Sequence, residues 1–258
     1  MKWHGLFSSI LLLGLGLRAD EGMWTFDNPP LGLMEQRYGF APDGKWLEHA
    51  RLSTVEFGSS SGVFISRDGL VLTNHHVALK HLEKVSEPGE KDYVKHGFVA
   101  KSRAEEIKIP DLRLYTLMRT VNVTDKVNAA VKAGMDEQQA ARARTDKLLQ
   151  LRDELDQKDG LLAWQISLYQ GGEYWIYRYK VHRDVRLVLA PEAQIAFFGG
   201  DADNYTFPRH DMDFTLFRVY ENGTPYRPAH YLKWAKDGVK EGDFTFVVGC
   251  PGKTSRND

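Results

Sequence analysis

Gly62-Val63-Phe64-Ile65-Ser66-Arg67-Asp68-Gly69-Leu70-Val71-Leu72-Thr73-Asn74-His75-His76-Val77 is the stretch that decides the fold. Two short alternating runs meet at Arg67-Asp68-Gly69, the signature of a hairpin. A histidine placed where a buried strand ends is held rigidly and faces a cleft. Two histidines stand there, and in a strand-ending turn adjacent side chains point apart, so only one of them can serve a site. His76 directly precedes Val77 and Ala78, the expected start of a short helical turn, and is the candidate.

Outward from this hairpin the period of two recurs. Leu112 to Val121 alternates, with Leu112, Leu114, Thr116 and Met118 on one side. Trp164–Tyr169 and Tyr174–Val181 form a hairpin through Gly171-Gly172, and Val185–Leu189, Phe214–Tyr220 and Phe244–Val248 follow. Between these sets the period lengthens. Thr124 or Asp125 caps a short helix through Ala133, and Asp136 caps a second one to about Gln157 with an apolar stripe at Leu148, Leu151 and Leu155. Its many charges are the solvated face of a helix lying on the body. Residues 20–57, with three prolines and several aromatic rings, are expected to be an irregular but ordered arm. The pattern predicts a mainly β chain, a barrel or sandwich, with a helical insertion at about 124–157.

Composition narrows the function classes. Residues 1–19 have the form of a secretory signal peptide: a short polar start, an apolar run from Leu6 to Leu17, and Ala19 before Asp20-Glu21. About twelve apolar residues fall short of the ~20 a membrane span needs, so no membrane association is expected once the signal is removed. The chain from Asp20 is then secreted or periplasmic. Losing Lys2 and Arg18 takes the net charge from −1 to −3, which speaks against nucleic-acid binding. The single cysteine, Cys250, can form no internal disulfide and no metal cluster; a small buried side chain is its expected role.

A second polar cluster runs from Gly199 to Asp213 with four acids and His210. It lacks the glycine and terminal glutamate of a calcium loop. Asp213 leads into Phe214-Thr215-Leu216-Phe217 and is placed to accept the Nδ1 proton of a histidine; Asp211 is the rival acid. A metal set of His75, His76 and His81 is disfavoured, because a spacing of five does not put two imidazoles on one helix face. No cofactor is implied. His followed by Asp is the order of the first two members of a chymotrypsin-like triad whose serine comes last. No convincing nucleophile is present. Gly58-Ser59-Ser60-Ser61-Gly62 precedes a strand rather than a helix, Ser255 lacks flanking glycines, and Cys250 sits in an apolar run without a cationic neighbour.

The arm Asp20-Glu21-Gly22-Met23-Trp24-Thr25-Phe26, the segment Thr73–His76, the loop Gly200–His210 and the strand Asp213–Tyr220 together resemble the bacterial dipeptidyl-peptidases of the 7 and 11 types. The resemblance runs from the signal to Asp258. It implies a double β-barrel of chymotrypsin type with a separate helical cap, residues 20–258 supplying the first barrel and part of the second. The implied enzyme is an exported serine exopeptidase that releases dipeptides from oligopeptides with a free N-terminus, and a homodimer of the full-length enzyme is compatible with it. His76 would be its general base and Asp213 the orienting acid. Asn204 and Tyr205 would hold the substrate α-amine; many family members carry tryptophan where this chain has Tyr205 and Phe207. The resemblance puts the catalytic serine well beyond Asp258, so the chain alone is expected to be inactive. A trypsin-like exported endopeptidase and a non-catalytic peptide-binding barrel remain the alternatives.

Overall fold

The structure, a computed structural model, describes residues 22–58, 60–87, 89, 91–197 and 211–250. The expected signal peptide, Asn204, Tyr205 and Ser255 lie outside the described residues. The chain divides into two compact units, Met1–Ala41 and Pro42–Asp258. In the first, α1 (Leu31–Tyr38) ends at Gly39, whose φ of 63° lets its N–H turn back to the Glu35 carbonyl at 2.9 Å.

The second unit is a mainly antiparallel sheet with helices at its margins. After α2 (Gly44–Ser53) come β1 (Thr54–Phe57), β2 (Ser60–Phe64), β3 (Leu70–Thr73), α3 (His75–Glu83), α4 (Tyr93–His96), β4 (Phe98–Val99), β5 (Ile107–Lys108) and β6 (Leu114–Asn122). They are followed by α5 (Thr124–Asn128), α6 (Glu137–Leu155), β7 (Leu162–Leu168), β8 (Glu173–His182), β9 (Asp184–Ala190), α7 (Ala193–Ala196), β10 (Thr215–Glu221) and β11 (Thr224–Pro225). The strands pair in the order β4-β9-β10-β3-β2-β1-β6-β8-β7, with β11 on β10 and β5 on β9.

The expected barrel is not closed, since β4 and β7 end the path without pairing to each other. The sheet nevertheless curls strongly. β1 and β10 lie three ladders apart, roughly 14 Å in a flat sheet, yet the rings of Phe57 and Phe217 meet with centroids 5.2 Å apart. Five ladders separate β8 from β10, yet Lys180 reaches Glu221 at 3.0 Å and its ammonium lies 4.3 Å from the centre of the Tyr226 ring. The curl encloses Val55, Phe57, Phe64, Val71, Leu114, Leu187, Phe217 and Val219 in one apolar core. Alternation explains the choice: Val55 and Phe57 point inward while Glu56 between them faces the other way.

A second, smaller core joins Val123, Val127, Leu148, Leu151, Ala163 and Ile176, where α5 and α6 pack on β7 and β8. Asp136 caps α6 through a reciprocal box: its carboxylate accepts from Gln139 N–H at 2.8 Å, and the Gln139 side chain accepts from Asp136 N–H at 3.1 Å. Leu155 of the expected stripe packs against the same core. The preceding helix stops at Asn128 rather than Ala133, and Thr124 does not cap it. Its hydroxyl instead accepts from Tyr174 N–H at 3.0 Å, fastening the helix start to β8.

Two further expectations of local structure fail. The stretch expected to be irregular contains α2, which the Asp43 carboxylate caps by accepting from Trp46 N–H at 2.8 Å. Phe244–Val248, expected as a strand, has no regular structure, and Val247 is 99% exposed. Alternation makes a strand only where a neighbour supplies hydrogen bonds, and no ladder to this segment exists among the described residues. Phe246 packs instead on Trp46, with ring centroids 4.8 Å apart.

Candidate active site

The register of one ladder builds the site. β3 runs between β2 and β10, and Thr73 pairs with Thr215. Because the strands are antiparallel, the residues just after β3 and just before β10 emerge at the same end. Asn74, His75 and His76 thus meet Asp213, 137 residues downstream of His76. Asp213 sits two residues ahead of β10, which starts at Thr215 rather than at the acid itself.

His76 Nδ1 lies 2.7 Å from Asp213 Oδ2, and the backbone N–H of His76 donates to Oδ1 of the same carboxylate at 3.0 Å. Asn74 Nδ2 donates to Oδ2 at 3.1 Å and to the Asp213 carbonyl at 3.3 Å. Burial works to raise the Asp213 carboxyl, but the donors from His76, the nearby imidazole charge and the Asn74 amide outweigh it and hold it below the ordinary carboxylate range. An ionised carboxylate only accepts, so His76 carries its proton on Nδ1 and directs Nε2 away from Asp213. With 63% of its side chain exposed, the imidazole is open to a reactant, while Asp213 is 25% exposed.

His75 takes the opposite part. It is 3% exposed, and Thr215 Oγ1 lies 3.3 Å from its Nδ1. Burial lowers its pKa, favouring the neutral ring, and it ties the start of α3 to the start of β10. His81 is buried edge-on against Phe57, with its pKa lowered to about 4, chiefly by burial. The three histidines of the disfavoured metal reading therefore occupy separate environments, and the described residues contain no group of three or more His, Cys, Asp or Glu arranged for a metal ion.

Of the rejected nucleophiles, the central serine of the Gly58–Gly62 run, Ser60, opens β2 opposite Phe57, and the hydroxyl of the adjacent Ser61 accepts from Cys250 N–H at 2.6 Å. Cys250 sits outside any strand; burial and then Glu56, whose Oε2 is 3.8 Å from Sγ, push its thiol up to about 12. Asp211, the rival acid, is described but is not the residue bonded to His76. Asn74 went unassigned in the sequence: an asparagine ahead of a helix signals a cap, and nothing local says that its amide points elsewhere.

A family model described as peptidase S46 matches residues 19–258. The chain belongs to the peptidase S46 family. This S46 chain is 36% identical over 270 residues to a dipeptidyl-peptidase 7 of Phocaeicola vulgatus, covering 93% of the chain and 36% of that relative. It is 34% identical over 262 residues to an Asp/Glu-specific dipeptidyl-peptidase of Porphyromonas endodontalis, covering 92% and 36%. It superimposes on the crystal structure of Porphyromonas endodontalis DPP11 in complex with substrate with a TM-score of 0.71 at 29% identity, covering 87% of this chain and 36% of that one. The S46 chain thus spans little more than a third of the length of these relatives.

Proposed function

We propose that this S46 chain carries the base and the acid of a serine-type dipeptidyl-peptidase site that releases dipeptides from oligopeptides with a free N-terminus. The observation that carries the reading is the 2.7 Å contact between His76 and Asp213, with the His76 backbone bound to the same carboxylate. In this reading His76 Nε2 takes the proton of an attacking serine hydroxyl as that oxygen adds to the second peptide carbonyl. Asp213 holds the Nδ1–H tautomer and stabilises the imidazolium, which then protonates the leaving amine. In this reading the attacking serine is not one of the described residues.

The names of the relatives, dipeptidyl-peptidase 7 and Asp/Glu-specific dipeptidyl-peptidase, support the exopeptidase class. Crystals of DPP11 with substrate and with the dipeptide Arg-Glu support peptide ligands. Within the same proposal, Asn204 accepts from the substrate ammonium and the Tyr205 ring faces it. The curled sheet is a chymotrypsin-type barrel completed by further strands, 124–157 is an insertion in it, and the protein is exported through residues 1–19. A homodimer of the full-length enzyme belongs to the proposal as well.

The test is hydrolysis of fluorogenic dipeptide amides, with free and acetylated N-termini, by this chain extended with the remaining length of an S46 relative. We expect cleavage of the free substrates only, and a loss on the order of 10⁴-fold in kcat for Asp213→Asn. Equal cleavage of blocked and free substrates would defeat the exopeptidase assignment; undiminished activity of Asp213→Asn would defeat the His–Asp pair.

A further inference from the structure

Asn74 occupies the N-cap position of α3, where an asparagine side chain ordinarily accepts from the backbone N–H two or three residues on. Here it makes no such bond. The N–H of His76, the second helical residue, goes instead to Asp213 Oδ1 at 3.0 Å, so the acid on the incoming segment caps the helix from outside. The Asn74 amide is turned toward that same acid, with Nδ2 3.1 Å from Oδ2 and 3.3 Å from the Asp213 carbonyl. Cap and capped position have exchanged partners across 139 residues of sequence.

We infer that Asn74 is a positioning residue for the His76–Asp213 pair, holding the Asp213 carboxylate in the one rotation that serves both the backbone and the ring of His76. A carboxylate bonded only to an exposed imidazole can turn about its last side-chain bond and lose it. Asp213 instead receives three donors from the start of α3: the His76 N–H, the His76 ring and the Asn74 amide. Two of these come from groups fixed where β3 passes into the helix. The amide also grips the Asp213 main chain, so both ends of that residue are held. The orientation of the amide has one chemical solution, because its oxygen in place of its nitrogen would set an acceptor against a carboxylate. Among the described residues, the ionisable groups whose charge interacts with Asp213 are His76 and His75, both on α3.

The role rests on the reading of His76 and Asp213 as a catalytic pair, but its test needs no substrate. The carboxyl carbon of Asp213 and the Nδ1 proton of His76 are followed by NMR through a pH titration of this chain, in the wild type and in Asn74→Ala and Asn74→Asp. Asn74→Ala removes the amide donor, and Asn74→Asp keeps the shape while placing an acceptor there. We expect the Asp213 midpoint to rise by about one pH unit in Asn74→Ala and further in Asn74→Asp, and the His76 Nδ1 proton signal to broaden in both. The melting temperature of Asn74→Ala should fall by a few degrees at neutral pH and by less below the Asp213 midpoint, because a carboxyl midpoint raised by about one pH unit removes about 1.4 kcal/mol of stability only where the carboxyl is ionised. Superimposable carboxyl titrations, or a lowered melting temperature without a moved midpoint, would overturn the inference and leave Asn74 a structural residue. A moved midpoint together with an inactive extended enzyme would preserve the inference and defeat the proposed function.

Discussion

His182 makes the stability of this protein depend on pH in a way that can be calculated. It ends β8, is 4% exposed, and packs its ring on Tyr226 and Phe64 with centroids 4.9 and 5.7 Å away. Its Nε2 is 3.0 Å from Thr116 Oγ1, a pairing that suits a neutral ring. Burial, and then the charge of Lys180, lowers its pKa from 6.5 to about 3. The folded state thus refuses a proton that the unfolded chain accepts below 6.5. The stability is whole above pH 6.5 and falls as the pH drops toward 3, by about 1.4 kcal/mol per pH unit. Going from pH 7 to pH 4.5 should therefore remove about 3 kcal/mol, a large share of the 5–15 kcal/mol typical of a domain. His81, whose pKa is also lowered, adds to the loss in the same direction. The assay is urea denaturation at several pH values between 4.5 and 7, for the wild type and for His182→Gln, which keeps an uncharged hydrogen-bonding group through this range. The variant should start less stable at pH 7, having lost ring packing, and should lose about 3 kcal/mol less on acidification. Parallel loss in the two proteins would refute the assignment of a buried neutral imidazole.

Two further outcomes follow from the packing. Gly69 has a φ of +71°, and a Cβ there would stand 2.7 Å from the Tyr226 carbonyl oxygen and 2.9 Å from that of Val219. Gly69→Ala should cost about 2–4 kcal/mol, read as a lower urea midpoint; an unchanged midpoint would show that the hairpin can shift away from β10. Buried Glu106 is held by Arg218 Nε at 2.9 Å and the Tyr220 hydroxyl at 2.8 Å. Tyr220→Phe should cost about 1–3 kcal/mol and Arg218→Met about 3–5 kcal/mol, since the latter strands a buried charge; the reverse order in denaturation would contradict that account.

The parts of the fold that depend on near neighbours in the chain were legible in the sequence. The β2–β3 hairpin, the alternation of β6 to β8, the helix cap at Asp136 and the Leu148–Leu151 stripe all arise from residues a few positions apart. His76 and Asp213 were nameable too, as polar residues flanking apolar strands, and they do meet. Two of the failures share one cause. Alternation in Phe244–Val248 promised a strand, but a strand requires a partner supplied from elsewhere. Thr124 had the chemistry of a cap, yet the approach of β8 gave its hydroxyl another donor.

Sequence alone thus determined the mainly β character, the helical interval and the choice of His76 and Asp213 as polar residues at strand ends, because periodicity and residue chemistry are local. Tertiary structure decided how far the sheet curls, that His75 is buried while His76 is open, and that Asn74 serves Asp213 rather than its own helix. Those outcomes turn on the pairing of Thr73 with Thr215. That register joins segments far apart in the chain, and no local pattern encodes which residue will arrive opposite which.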